Sequence, residues 1–171
     1  GQVVVSSTEA LCFEKVPKHM AVIGAGAIGL EMGSVWSRLG AKVTVVELQP
    51  RIAPASDHKM SKTLQKCLEG QGLEFKLGCK VKGADVKGKK ATLRYDDPDG
   101  NEQSIEVDRI LVAVGRKPYS EGLGLENVGL ATDDRGRVEV NDHLQTKVPN
   151  IYAIGDLIRG AMLAHKAEDE G

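Results

Sequence analysis

Cysteine and histidine are too few and too scattered in this 171-residue chain to form a disulfide framework or a metal site. The three cysteines, Cys12, Cys67 and Cys79, are odd in number and far apart, which predicts reduced thiols. The four histidines lack the spacing of metal ligands. We therefore expect no metal site.

Long apolar runs and an excess of one charge are also absent. No stretch approaches the roughly 18 to 20 apolar residues that a membrane-spanning helix requires, and no basic segment leads into an apolar one as in a signal peptide. The formal net charge is -1, which does not favour nucleic acid or an anionic membrane as a partner. We expect a soluble intracellular domain without either partner. Because the chain lacks an initiator methionine and stops within a helical-looking stretch, we also expect a fragment of a longer protein.

Residues 20–47 carry strand and helix signals in the order of a βαβ unit. Apolar residues at 20–23 and 42–47 predict two buried strands. Apolar residues recurring at helical spacing predict one inward helix face between them, formed by Ile28, Met32, Val35, Trp36 and Leu39. Gly40 is a plausible end for this helix. Such a unit predicts parallel strands joined by a right-handed crossover.

The segment that follows continues the pattern. A second helix is predicted from Ser56 or Asp57 to about Gly70. Its predicted inward residues are Met60, Leu64, Cys67 and Leu68. Residues 73–77 and 109–115 predict further strands, and residues 79–108 alternate β-prone pieces with turns. The predicted fold class is α/β and Rossmann-like, with a central parallel sheet, helices and an antiparallel β-meander.

The turn after the first strand reads Gly24-Ala25-Gly26-Ala27-Ile28-Gly29 and satisfies G-x-G-x-x-G. It opens a helix, and Glu47 ends the next strand 23 positions after Gly24, so the context is that of a dinucleotide-binding fingerprint. Gly24 permits the tight turn, Gly26 removes a Cβ that would block a pyrophosphate, and Gly29 lets the helix approach the strand. The phosphates would meet unpaired N–H groups at the helix start.

Glu47 predicts which dinucleotide is bound. A carboxylate at this position accepts hydrogen bonds from the ribose hydroxyls and repels the 2'-phosphate of NADP, so NAD is favoured. The alternative is that the glycines serve packing alone and Glu47 is a solvated strand end.

Four segments, "GAGAIGLEMGSVWSRLG", "VAVGRKP", "PNIYAIGD" and "MLAHKAEDEG", occur in this order and resemble the dihydrolipoyl dehydrogenase family. "IYAIGD" is shared with the wider pyridine nucleotide-disulfide oxidoreductases. The resemblance covers essentially the whole chain but only the middle of those enzymes. It implies an NAD-binding domain at residues 1–118 and, at residues 119–171, an incomplete segment returning to the FAD and central domain.

The resemblance also implies two sets of cofactor-binding residues. NAD would be contacted by Gly24, Ala25, Gly26, Ala27, Ile28, Gly29, Leu30, Glu31 and Glu47, with Val81 beside the adenine and Gly115 near the nicotinamide. Glu31 would lie near nicotinamide and flavin, whereas the alternative is a solvated helix residue.

The second set would contact FAD. Asp156, at the end of the short apolar strand "IYAIGD", would accept hydrogen bonds from the ribityl chain, and the alternative is a helix N-cap. Backbone contacts to flavin would come from Met162, Leu163, Ala164 and His165. A helix beginning there would direct its positive end at the flavin pyrimidine ring.

In enzymes of this family, dihydrolipoamide reduces a cysteine pair, the pair reduces FAD, and flavin passes hydride to NAD. The resemblance implies lipoyl domains of 2-oxo acid dehydrogenase complexes as partners and a homodimeric parent. It also implies the mitochondrial matrix in a eukaryote or the cytoplasm in a bacterium. The family's C-x4-C pair cannot come from the cysteines present, so no catalytic residue is nominated. We expect this chain alone to bind NAD(H) without turnover.

Two other functions remain open from the residues. One is a different flavin disulfide reductase, of the mercuric or glutathione reductase type, which Glu47 disfavours because those enzymes typically use NADPH. The other is a non-enzymatic NAD-binding module.

Overall fold

The computed structural model describes residues 2–171, and their contacts divide the chain into two compact units, Gly1–Gly115 and Arg116–Gly171. The first unit contains eight strands, and each is numbered in chain order. They are β1 Val4–Val5, β2 His19–Ile23, β3 Lys42–Glu47, β4 Leu73–Leu77, β5 Lys80–Lys87, β6 Lys90–Asp96, β7 Glu102–Val107 and β8 Arg109–Val112. Its helices are α1 Ser7–Ala10, α2 Ala27–Arg38 and α3 His58–Gly70.

Five strands form a parallel sheet in the order β1-β8-β2-β3-β4, and three form an antiparallel sheet in the order β5-β6-β7. The register pairs Ala21 with both Thr44 and Ile110, which places β2 between β3 and β8. The predicted α/β fold with a parallel sheet and a β-meander is therefore confirmed. In such a sheet the carboxyl ends of neighbouring strands lie at one edge, where ligands commonly bind.

Both faces of the parallel sheet are buried. Its strands carry apolar residues at consecutive positions, and successive side chains point to opposite faces of the sheet. On one face, Met20, Val22 and Val45 pack in a cluster that includes Leu30 and Trp36 of α2. On the other face, Ala21, Val46 and Ile110 pack in a cluster with residues of the meander. Each large side chain buried in this way contributes about 1.5–3 kcal/mol relative to an exposed one.

The inward face of α2 differs from the predicted one. Val35 and Leu39 are 48% and 55% exposed. The buried residues of the helix are Gly29, Leu30, Met32, Gly33 and Trp36. A Cβ built on Gly33 would lie 3.4 Å from Val43 Cγ1, so the helix approaches the sheet through its small residues. The apolar periodicity did not reveal this, because glycine carries no hydrophobic signal.

The inward face of α3 is rotated by one residue from the prediction. Asp57 caps the helix as expected, and Leu68 is buried. However, Met60 is 63% exposed, Leu64 is 39% exposed and Cys67 is exposed. The buried residue of the first turn is Ser61, whose hydroxyl donates to the Ile52 carbonyl at 2.6 Å. Ser61 therefore occupies the inward position that was predicted for Met60.

The strand predicted at 109–115 ends at Val112, and Val114 is 71% exposed. One further ladder bond follows the strand, because the Ala113 N–H donates to the Ile23 carbonyl at 2.8 Å. Beyond that point the chain has no strand partner among the described residues, so it leaves the sheet.

The unit Arg116–Gly171 contains little regular structure. It has 3-10 turns at Leu125–Val128 and Gly155–Leu157 and a helix, α4, at Ala164–Glu170. The strand predicted for "IYAIGD" is wrong: only an isolated bridge joins Tyr152 to Gln145. Among the described residues, backbone hydrogen bonds join this segment to one short neighbouring stretch, through Leu144 and Thr146. A longer strand here would therefore have no neighbouring strand to pair with.

None of the helices described in residues 2–171 has the length and apolar character needed to cross a membrane.

A polar network lies at the amino-terminal edge of the parallel sheet. His19 Nε2 is 2.9 Å from Thr44 Oγ1, and the Thr44 hydroxyl donates to Glu74 at 3.2 Å. Lys42 pairs with Glu74 at 3.1 Å. Burial is the main cause that lowers the pKa of His19 below 6.5, and the Lys42 charge adds to it. The carboxylates of Glu74 and Asp108 oppose this shift.

We predict that His19 makes the domain less stable as pH falls below about 6.5. The unfolded chain then binds a proton at His19 more readily than the folded chain does, so the free energy of unfolding decreases until the folded pKa is passed. Urea unfolding of wild type and His19→Gln across this range tests this, with the slope expected to be shallower in the variant. At pH values well above 6.5 His19 is neutral in both states, so the difference there gives the pH-independent effect of the substitution. Parallel profiles for both proteins would contradict the prediction.

Candidate dinucleotide-binding site

The glycine turn lies at the carboxyl edge of the parallel sheet, directly after β2. The Gly24 N–H donates to the Val46 carbonyl of β3 at 2.9 Å. On the other side, the chain leaving β8 reaches the turn, because a Cβ built on Gly24 would lie 2.4 Å from the Ala113 carbonyl oxygen. The turn is therefore held between the ends of the two strands that flank β2.

Two of the three fingerprint glycines are required by the protein itself. Gly24 has φ +102, which L side chains rarely adopt. A Cβ on Gly29 would lie 2.1 Å from the Gly24 carbonyl oxygen and 3.1 Å from Val22 Cγ1. Gly24 thus makes the turn, and Gly29 allows α2 to lie against it.

Gly26 has no such requirement. Its φ of -77 and ψ of -178 are extended backbone that any residue adopts, and it is the N-cap of α2 without a side-chain cap. A Cβ placed there would meet no heavy atom within 4 Å. The start of α2 therefore faces open space at Gly26, and its first N–H groups have no side-chain acceptor at the cap position.

Glu47 is 9% exposed and is therefore not a solvated strand end. One carboxylate oxygen accepts from the Ala25 N–H at 2.6 Å, and the other accepts from the Gln49 N–H at 2.7 Å. The Ala25 carbonyl accepts in turn from the Ala53 N–H at 2.8 Å. A carboxylate has about four acceptor positions, so two remain after these contacts.

The other residues predicted for NAD occupy positions near this edge or on α2. Val81 is half-buried on β5, two residues after Cys79, whose N–H donates to the Glu47 carbonyl at 2.9 Å. Gly115 is exposed beyond the end of β8. Glu31 is an exposed residue of α2. The structure thus brings the glycine turn and Glu47 into direct contact, and it leaves the Glu31 side chain in solvent.

The residues predicted for FAD all lie in the Arg116–Gly171 unit. The Asp156 carboxylate is 3.4 Å from Arg116, and the Asp156 side chain is 39% exposed. Asp156 lies within the turn Gly155–Leu157, whose N-cap is Ile154, so it is not a helix N-cap. Glu170 of α4 pairs with Lys166 at 2.6 Å and accepts from the Gly155 N–H at 2.7 Å, and these two contacts lower the pKa of its carboxyl group. This turn is therefore tied to the end of α4.

The remaining predicted FAD residues precede or begin α4. Leu163, the N-cap, is 47% exposed, and no side chain caps the helix. Met162 is half-buried, whereas Ala164 and His165 are exposed.

No cluster of three or more potential metal ligands occurs within residues 2–171. All three cysteines are free; Cys12 and Cys67 are exposed and Cys79 is buried. Burial raises the pKa of the Cys79 thiol, and the Asp97 charge adds to this, so the thiol stays protonated at neutral pH.

Sequence reasoning missed Ala53, whose N–H in the β3–α3 loop donates to Ala25 of the glycine turn, and Ser61 of α3, whose hydroxyl donates to the Ile52 carbonyl of that loop. Ala53 carries no chemical signature, and its φ of +42 cannot be read from the sequence. Ser61 left a weak signal, a polar residue inside an apolar helix face.

Comparison with known proteins identifies the family. The chain matches the pyridine nucleotide-disulphide oxidoreductase family over residues 1–171. It is 54% identical over 169 residues to the dihydrolipoyl dehydrogenase of Cupriavidus necator, covering 98% of this chain and 36% of that protein. It is 55% identical over 170 residues to the mitochondrial dihydrolipoyl dehydrogenase of Caenorhabditis elegans, covering 98% of this chain and 34% of that protein. The chain therefore spans about a third of the length of these relatives, and the resemblance inferred from the motifs is confirmed.

A solved structure extends the likeness to three dimensions. The HOCl-induced flavoprotein disulfide reductase RclA from Escherichia coli superimposes with a TM-score of 0.87 at 29% identity, over 98% of this chain and 37% of that one. Sequence, fold and the glycine turn at the carboxyl edge of the sheet agree, and the chain belongs to the pyridine nucleotide-disulphide oxidoreductase family.

Proposed function

We propose that residues 1–118 bind NAD(H) at the glycine turn and Glu47. Gly26 is the observation that carries this proposal. Its backbone conformation suits any residue, and a Cβ there would touch nothing in the protein, so the missing side chain serves no internal purpose. A ligand that approaches the start of α2 through this opening explains the glycine, and a pyrophosphate suits the N–H groups of a helix start.

Glu47 supports NAD as the dinucleotide. Its carboxylate is held in one orientation by two backbone N–H groups, and it keeps acceptor capacity for the two ribose hydroxyls. A 2'-phosphate at the same position would meet a buried negative charge, which is unfavourable. In this arrangement the protein binds and orients the dinucleotide, and the bound dinucleotide supplies the hydride acceptor.

The activity of the longer protein is inferred from its relatives. Two of them carry the name dihydrolipoyl dehydrogenase and share more than half of their aligned residues with this chain. We infer that the longer protein oxidises protein-bound dihydrolipoamide through a redox disulfide and FAD and reduces NAD. Lipoyl domains of 2-oxo acid dehydrogenase complexes would be its partners, and the parent would be a homodimer. Bacterial and mitochondrial relatives support the cytoplasm or the mitochondrial matrix, according to the organism.

Asp156 and residues 162–165 are the part of this chain that we assign to FAD. The Asp156 carboxylate is partly exposed, and a carboxylate accepts hydrogen bonds from the hydroxyls of a ribityl chain. The backbone of Met162, Leu163, Ala164 and His165 would contact flavin, and residues 119–171 would return the chain toward an FAD domain.

Replacing Gly26 with alanine should weaken NADH binding while the domain stays folded. The new Cβ enters open space, so the free energy of unfolding should change by about 1 kcal/mol or less, the difference between these residues at an N-cap. The same Cβ stands where the pyrophosphate is proposed to lie, and NADH affinity measured by calorimetry should fall at least about tenfold.

Gly29→Ala is the matched comparison. Its Cβ would lie 2.1 Å from the Gly24 carbonyl oxygen, so we expect a loss of about 1–3 kcal/mol or more in the free energy of unfolding. Unchanged NADH affinity in folded Gly26→Ala would contradict the proposed site.

Wild type should bind NADH more tightly than NADPH, and Glu47→Gln should narrow this difference. The amide removes the negative charge that opposes a 2'-phosphate. Its NH2 group also takes the place of one carboxylate oxygen, so one of the two backbone N–H groups, of Ala25 or Gln49, loses its acceptor. We expect NADH affinity to fall about three- to tenfold by calorimetry, with a smaller loss for NADPH. A wild-type preference for NADPH would favour a different flavin disulfide reductase as the parent.

The isolated chain should show no oxidation of dihydrolipoamide by NAD. Its three cysteines are free and distant in sequence, and Cys79 is buried, so they cannot act as the family's redox pair. The assay follows NADH absorbance with dihydrolipoamide, NAD and added FAD, beside a blank without protein. A rate above the blank that depends on dihydrolipoamide would contradict the expectation.

A further inference from the structure

A single peptide group in the loop between β3 and α3 supports the glycine turn. The peptide that joins Ile52 to Ala53 donates its N–H to the Ala25 carbonyl at 2.8 Å. Ile52 is fully buried, and Ala53 has φ +42, a conformation that costs energy for a residue with a side chain. The peptide is therefore kept in its orientation by contacts and not by local preference.

Ser61 holds the other end of the same peptide group. Its hydroxyl donates to the Ile52 carbonyl at 2.6 Å, and its side chain is 2% exposed. Rotation of this peptide would break both hydrogen bonds together, the one from Ser61 and the one to Ala25. Because the Ile52 carbonyl is buried, its loss of a partner would also leave an unsatisfied acceptor.

The orientation of the Ala25 carbonyl determines where the next N–H of the glycine turn, that of Gly26, points. In a trans peptide the N–H of Gly26 points opposite to the Ala25 carbonyl. Since that carbonyl is directed at Ala53, the Gly26 N–H is directed away from the β3–α3 loop. Glu47 holds the preceding N–H, that of Ala25, at 2.6 Å. Both peptide groups that flank Ala25 are thus oriented, the first by Glu47 and the second by the Ile52–Ala53 peptide.

We propose that Ser61 is a positioning residue of the dinucleotide site, which orients the Ile52–Ala53 peptide and through it the Ala25–Gly26 peptide that faces the pyrophosphate. Ser61 does not touch the ligand in this arrangement. The inference rests on the proposed function, because it requires that the glycine turn binds a dinucleotide. It assigns a binding role to a buried hydroxyl of α3 that would otherwise count as packing.

The test compares two hydroxyl deletions on the same helix. Ser61→Ala removes the bond to the Ile52 carbonyl, whereas Thr63→Ala removes a hydroxyl that donates only to Lys59 within α3. NADH affinity by calorimetry should fall about three- to tenfold in Ser61→Ala, the effect of one hydrogen bond, and stay close to wild type in Thr63→Ala. Ser61→Thr keeps a hydroxyl and should recover part of the affinity.

Amide hydrogen exchange separates positioning from general destabilisation. In Ser61→Ala without ligand, the Ala53 and Ala25 amides should exchange faster, whereas the amides of β2 and β3 that pair within the sheet should keep their protection. If Ser61→Ala does not fold, Ser61→Cys fills the same space with a weaker donor and should show the same pattern to a smaller degree.

The outcomes distinguish this inference from the proposed function. If wild type does not bind NADH, the proposed function fails. If wild type binds NADH and Ser61→Ala binds it equally well, the positioning role of Ser61 is overturned. The same holds if Ser61→Ala loses affinity but amide exchange rises equally at Ala25, at Ala53 and throughout β2 and β3.

Discussion

Both hydrogen-bonding groups of Ala25 are held by the protein, and the geometry of the glycine turn depends on this. The Glu47 carboxylate accepts the Ala25 N–H, and the Ala53 N–H donates to the Ala25 carbonyl. Without these partners, a turn with glycines on both sides would have considerable backbone freedom, and ordering it on binding would cost about 1–2 kcal/mol per residue. A turn that is already ordered avoids much of that cost.

The topology of the sheet explains why these partners are available. β2 lies between β8 and β3 in a parallel sheet, so the carboxyl ends of all three strands meet at one edge. Gly24 follows the central strand, Glu47 ends one neighbour, and Ala113 follows the other. Residues far apart in sequence are thus adjacent because of strand order. The β3–α3 loop joins the site because it leaves the same edge.

The sequence was sufficient to predict the fold class and the position of the glycine turn. Strong apolar runs marked the strands, and the glycine pattern with Glu47 marked the turn, since each of these signals follows from backbone periodicity or a single residue type. The helix faces were less predictable. The fingerprint predicted the close approach of α2 at Gly29, but the apolar periodicity gave no signal for Gly33, and the inward position of Ser61 in α3 involves a carbonyl nine positions away in the chain. A short strand at "IYAIGD" was predicted from composition, but strand formation also requires a partner, which composition does not reveal.

In the NAD site proposed above, Glu47 would have two roles, and they would couple the choice of cofactor to the geometry of the glycine turn. Its charge would oppose a 2'-phosphate, while its two oxygens accept the N–H groups of Ala25 and Gln49. An arginine at this position would supply positive charge for a 2'-phosphate, but it has no acceptor, so both N–H groups would lose their partner. The Gly24–Ala25 peptide would then lose its partner, and only the Ala25–Gly26 peptide would stay oriented, through Ala53 and Ser61. We therefore expect that Glu47→Arg would need a second substitution, one that restores an acceptor for the Ala25 N–H, before the proposed site prefers NADPH.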